Sequence, residues 1–126
     1  MAATRTGHSY PAGYGAVSPK ADYRPWDVDE RFRPLYRAVQ DHTKVDEARC
    51  YLLWRTALQL DSIDGAFIEV GVWRGGTAAL LCDAAARLRM PRHVYLADTF
   101  RGVVKAGPQD DYYKGGEHAD ASADTV

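Results

Sequence analysis

The chain has 126 residues, of which 46% are hydrophobic, 11% aromatic and 26% charged, fractions that describe a foldable globular polymer rather than a disordered or fibrous one. With 16 Lys+Arg against 17 Asp+Glu the formal net charge is -1, which excludes a strong electrostatic case for nucleic acid or an anionic membrane as the main partner. No apolar run reaches the roughly 18–20 residues of a membrane span, and Met1 to Tyr14 lacks the apolar stretch of a signal peptide. Cys50 and Cys82 each sit in an apolar helical pattern and fit no zinc or redox spacing. They read as two buried thiols in a reducing compartment, so a cytoplasmic location is expected.

Residues 1–25 are rich in Gly, Pro, Ala and Tyr, show no period and read as a mobile tail, with order expected only at Tyr23-Arg24-Pro25-Trp26. A helical segment over 26–64 follows. Phe32, Leu35, Tyr36 and Val39 form the stripe of a short helix. Thr43, three residues before Asp46, has the shape of a capping box for a second helix. Its expected face is Val45, Arg49, Leu52, Leu53, Ala57 and Leu60, widened by Trp54 and Leu58, and it stops near Asp61.

The texture changes over 65–126. Ala66-Phe-Ile-Glu-Val70 is a nearly continuous apolar run, as in a parallel strand buried on both faces. Gly71 to Gly76 is a glycine-punctuated loop, and Thr77 to Arg89 is a helix packed through Leu81, Ala84, Ala85 and Leu88 and ended by Pro91. His93 to Ala97 is a second strand closed by Asp98, which completes a βαβ unit. Arg101 to Asp120 reads as a polar, aromatic, lid-like loop, and Asp120 to Val126 as the cap and first turn of another helix.

Glu69-Val-Gly71-Val-Trp-Arg-Gly75-Gly76-Thr77 carries the chemistry. Glycines let backbone approach a ligand closely, and a helix N-terminus offers unpaired N–H groups. A phosphate-binding P-loop fits the Gly71 to Gly76 spacing but lacks the lysine between Gly76 and Thr77. A dinucleotide loop needs a glycine where Trp73 stands, and the indole obstructs pyrophosphate. S-adenosylmethionine carries no phosphate; Glu69 suits its ammonium, directly or through water, and Asp98 can accept both ribose hydroxyls. An ordinary glycine turn with a solvated Asp98 stays open beside these, as does a non-catalytic Rossmann-like fragment or nucleotide-binding module.

Ile68-Glu-Val-Gly-Val-Trp-Arg-Gly-Gly-Thr77, followed by Tyr95-Leu-Ala-Asp-Thr-Phe-Arg-Gly102, resembles the macrocin O-methyltransferase family, which methylates sugar hydroxyls on macrolides and related natural products. Tyr23-Arg-Pro-Trp26 and the Thr43 to Arg49 segment are also similar to that family's N-terminal helices. The resemblance implies an α/β fold: N-terminal helices, then the first βαβ unit of a Rossmann-like class I methyltransferase sheet, incomplete at the C-terminus. It implies that Glu69, Gly71, Gly75, Gly76 and Thr77 form the cofactor loop and that Asp98 and Thr99 form the ribose side. It implies S-adenosylmethionine as cofactor and Mg²⁺ in the complete enzyme, with the metal ligands and catalytic base beyond Val126, so the chain alone is expected to be inactive. The expected partner is a small glycosylated acceptor, with neither nucleic acid nor membrane; a homo-oligomer through unpaired strand edges is also expected.

Other residues carry weaker signals. Asp110, Asp111, Tyr112 and Tyr113 form either a lid or a solvated loop, and two adjacent carboxylates in an extended loop point apart, against a shared metal. Thr43 is read as a cap before a cofactor contact. His118 is a minor candidate for a general base, Arg74 either holds the Trp73 loop or meets a carboxylate, and Trp26 and Trp54 are read as packing residues.

Overall fold

The computed structural model describes residues 20–126. Most of the expected N-terminal tail, residues 1–19, lies outside the described residues. The regular elements are α1 (Phe32–Val39), α2 (Glu47–Leu58), β1 (Phe67–Val70), α3 (Gly76–Arg87) and β2 (Val94–Ala97). Single 3-10 turns sit at Pro25–Asp27, Gln40–His42, Leu60–Ser62 and Ala123–Thr125. The last of these is a 3-10 turn, preceded by Ser122, where the cap and first turn of another helix are expected.

Helix α1 buries the predicted stripe, with Phe32 and Val39 inside and Leu35 and Tyr36 packed against them. Its first turn is tied by Asp29, whose carboxylate accepts from the N–H groups of Arg31 and Phe32, both at 3.0 Å. Helix α2 begins later than the capping box at Thr43 requires. Asp46 is the residue in extended conformation before the helix, and its Oδ1 accepts the Arg49 N–H at 3.0 Å. Thr43 accepts instead from the Val45 N–H and folds the preceding loop. The buried face of α2 is also rotated from the predicted one. Cys50, Trp54 and Ala57 form the seam, and Leu52 is exposed. Trp54 sets this phase: its ring packs on Phe32 at 5.7 Å, and its Nε1–H donates to Asp83 of α3 at 2.8 Å.

Helix α3 packs through Leu81, Ala84 and Ala85 as predicted, together with Ala78 and Leu80; it ends at Arg87 rather than Arg89, and Leu88 is buried just past that end. Cys82 corrects the expectation of two buried thiols. It shares the outward stripe of Ala79 and Ala86 and is exposed, whereas Cys50 is fully buried and its thiol pKa is raised to about 11 by desolvation.

Strands β1 and β2 are parallel, with Phe67 opposite Val94 and Val70 opposite Ala97. Phe67 and Val94 face the helical core. Burial of β1 on both faces is not observed: Ile68 and Val70 are 69% and 78% exposed, and Tyr95, opposite Ile68, is 59% exposed. The helices cover one side of this sheet, and among the described residues nothing covers the other. A parallel pair joined through α3 is an α/β arrangement. It brings the ends of both strands, the glycine loop and the α3 N-terminus to one place.

Candidate functional site

In open α/β sheets ligands bind beyond the carboxyl ends of the strands. Here those ends are Val70 and Ala97, and the ladder runs one step further through Gly71 N–H to Ala97 O at 2.9 Å. A cavity of about 280 Å³ opens beside this point, lined among others by Thr43, Gly71, Trp73, Thr77, Asp98 and Tyr113. A shallower hollow over the strand ends is lined by Val70, Gly71, Ala97, Asp98 and Thr99. Gly71 and Asp98 belong to both.

The loop between β1 and α3 uses its glycines differently. Gly71 has φ +85°, with nothing within 4 Å of where a Cβ would stand, so it supplies a left-handed bend and leaves open space at the cavity. Gly75, at φ 79°, precedes α3, and its carbonyl accepts the Ala79 N–H. Gly76 is a packing glycine: a Cβ there would stand 2.7 Å from the carbonyl carbon and oxygen of His42. It lets the start of α3 lie against the segment that carries Thr43.

Glu69 is the penultimate residue of β1 and Asp98 directly follows β2, and the structure treats them in opposite ways. Glu69 Oε1 accepts from the Thr77 hydroxyl at 2.5 Å, while its Oε2 is buried without a partner. Desolvation raises the Glu69 pKa, with the Thr77 hydrogen bond pulling the other way. Glu69 does not itself line the cavity; Thr77, which it holds, does. Asp98 accepts the Trp73 N–H at 2.9 Å and the Phe100 N–H at 2.8 Å. These backbone donors hold its carboxyl below the usual range, so it stays ionised at the cavity wall. Thr99 accepts from the Arg101 N–H at 3.3 Å, and it faces only the shallower hollow.

Trp73 joins the site to distant parts of the chain. Its indole Nε1–H donates to Asp120 Oδ1 at 2.7 Å, and Asp120 Oδ2 takes Arg74 at the same distance. Arg74 thus does both things expected of it, since its guanidinium also lies 4.8 Å from the Trp73 ring centre. Lys44 Nζ lies 4.3 Å from that centre, and the His118 ring meets it edge-on. Of the expected lid, Tyr113 and His118 reach the cavity. Asp110 and Asp111 do not: both are exposed, and Asp110 closes a local turn through the Gly107 N–H. The lid segment is held by close approach instead. Gly102, at φ +66°, leaves a Cβ only 2.1 Å from Glu117 O.

Sequence reasoning missed Lys44 and Asp120 and read Trp73 only as an obstruction. No local pattern marks a pair 47 residues apart such as Trp73 and Asp120. The Thr43 neighbourhood did carry a signal, because a hydroxyl before a helix has two uses.

Among the described residues no group of three or more His, Cys, Asp or Glu side chains is placed to hold a metal ion. No helix among them is long and apolar enough to cross a membrane.

A βαβ unit with a glycine loop, an acid near the carboxyl end of each strand and a cavity beside them defines a small α/β unit. Residues 19–125 match the family described as Macrocin-O-methyltransferase (TylF), and the chain belongs to that family. No curated protein and no solved structure matches the chain. Membership makes it an O-methyltransferase family chain.

Proposed function

We propose that the chain binds S-adenosylmethionine at the C-terminal ends of β1 and β2, as part of a Rossmann-like class I methyltransferase that methylates a sugar hydroxyl of a macrolide-like product. The observation that carries this reading is the cavity shared by Gly71, Trp73, Thr77 and Asp98. The residues present fit that cofactor. Gly71 keeps the loop clear, the ionised Asp98 retains lone pairs for ribose hydroxyls, and Thr77 and Thr43 offer hydroxyls at the other end. Trp73 stands where a dinucleotide loop needs a glycine, which argues against NAD.

When bound, the cofactor supplies an electrophilic methyl group on sulfonium. The chain's own contribution is positioning: the glycine loop fixes the approach, and Asp98 fixes the ribose end. Tyr113 and His118, on the cavity wall, exclude water from one side. A glycosylated small molecule in the cytoplasm is the acceptor this reading implies.

Calorimetric titration tests it. S-adenosylhomocysteine should bind in preference to NAD and ATP, and Asp98→Ala should weaken it by roughly 10-fold or more, the loss of hydrogen bonds to a charged acceptor. Stabilisation by NAD with none by S-adenosylhomocysteine would overturn the proposal.

A further inference from the structure

The wall of the cavity carries a cation that the site described so far does not use. Lys44 sits in the loop between α1 and α2, held there by the Thr43 turn, and it lines the cavity together with Gly71, Trp73 and Asp98. Its ammonium stands 4.3 Å from the centre of the Trp73 ring. An aromatic face holds a cation through its quadrupole but accepts no conventional hydrogen bond from it.

The other cation beside that ring is already neutralised, because Arg74 is paired with Asp120. Lys44 makes no ion pair among the described residues. The one carboxylate on the cavity wall, Asp98, is occupied by backbone N–H groups of Trp73 and Phe100. The cavity is thus polarised. It has an acceptor at the strand ends and an uncommitted ammonium on the side of the N-terminal loop, with the Thr43 hydroxyl next to it.

We infer that Lys44, steadied on the Trp73 ring, binds the anionic end of the ligand, and that this end is the carboxylate of an amino-acid moiety. The inference rests on the proposed cofactor and names the residue that reads its methionine carboxylate. A ligand with hydroxyls at one end and a carboxylate at the other matches the polarity of the cavity, and one without the carboxylate leaves Lys44 unused. Lys44 then selects S-adenosylmethionine and S-adenosylhomocysteine over adenosine derivatives with no amino acid. It also couples the loop before α2 to cofactor binding, because the ligand bridges Lys44 and Asp98.

The test is calorimetry on the 126-residue chain with two probes, S-adenosylhomocysteine and 5′-methylthioadenosine, which lacks the amino-acid part. Wild type should prefer the first. Lys44→Met should weaken S-adenosylhomocysteine by about three- to tenfold, as for a partly solvated ion pair, and leave 5′-methylthioadenosine within about twofold. Lys44→Arg, which keeps the charge and the stacking, should restore most of the loss. Unchanged S-adenosylhomocysteine affinity in Lys44→Met overturns the inference. So does an equal loss for both probes, which would mean that Lys44 acts only by supporting Trp73. Wild type binding the two probes equally overturns it as well, while leaving the cofactor pocket standing. Wild type binding neither removes the proposed function and the inference with it.

Discussion

The backbone N–H of Trp73 donates to Asp98 Oδ2 across 2.9 Å, and Trp73 has φ 50°. Phe100, whose N–H donates to the other oxygen of the same carboxylate, has φ 52°. Two bulky residues in the left-handed region each carry strain of about 1–3 kcal/mol. A single ionised acid holds both, and Trp73 and the acid itself line the cavity.

The first prediction follows from that clamp. Asp98→Ala should relax both loops and lower unfolding stability by about 1.5–3 kcal/mol, the range for hydrogen bonds to a charged group. Asp98→Asn should recover part of it, since one amide oxygen still accepts. Urea unfolding of the three proteins measures this, and equal stability would show that the loops hold themselves.

How much of this was legible in the sequence differs by residue. The βαβ order, the stripe of α1 and the packed face of α3 were readable because each follows a local period. Leu52 and Cys82 were misplaced because the phase of a helix is set by what it meets, here Trp54 reaching Asp83. Glu69, Gly71 and Asp98 were visible as strand-end and loop residues. Lys44, Asp120 and the clamp at Trp73 were not, because they depend on contacts between segments 25 to 47 residues apart.

Gly76 supports a second prediction. An added methyl would stand 2.7 Å from the carbonyl of His42, which is backbone and cannot swing away. Gly76→Ala should therefore push α3 from the Thr43 loop and cost about 1–3 kcal/mol, as overpacking does, despite the better helix propensity of alanine. Gly71→Ala has open space, so its cost comes from φ +85° alone. Thermal melts should rank Gly76→Ala below Gly71→Ala; the reverse order would mean that the close approach to His42 is absent.

Glu69 and Asp98 should give stability a pH dependence of opposite signs. Asp98 has a lowered pKa, so its contribution is present above the unfolded value and lost as pH falls through the folded one. Glu69 has a raised pKa, so its folded form takes up a proton more readily. Stability from it is full below the unfolded value and declines as pH rises through the folded one. Glu69→Gln should thus raise stability at neutral pH and abolish that decline. Urea unfolding at a series of pH values checks the sign, and an unchanged profile in Glu69→Gln would rule out an unfavourable buried charge.

The uncovered sheet face gives the last prediction. Ile68, Val70 and Tyr95 form an apolar surface on the side away from the helices, with Ile68 directly opposite Tyr95. Parallel strands are stable when both faces are covered, and exposed apolar area costs roughly 25 cal/mol per Å². Among the described residues strand β1 also has β2 on one side only, and Phe67 to Val70 holds a single charge and no proline, the features of an edge that pairs with other chains. A preparation of residues 1–126 should therefore scatter light in a concentration-dependent way. Ile68→Lys combined with Tyr95→Lys should suppress the association without loss of helix, because both side chains already face solvent. Light scattering with circular dichroism on the two proteins decides it. A wild-type monomer with slow amide exchange across Phe67 to Val70 would show that the sheet is satisfied as it stands.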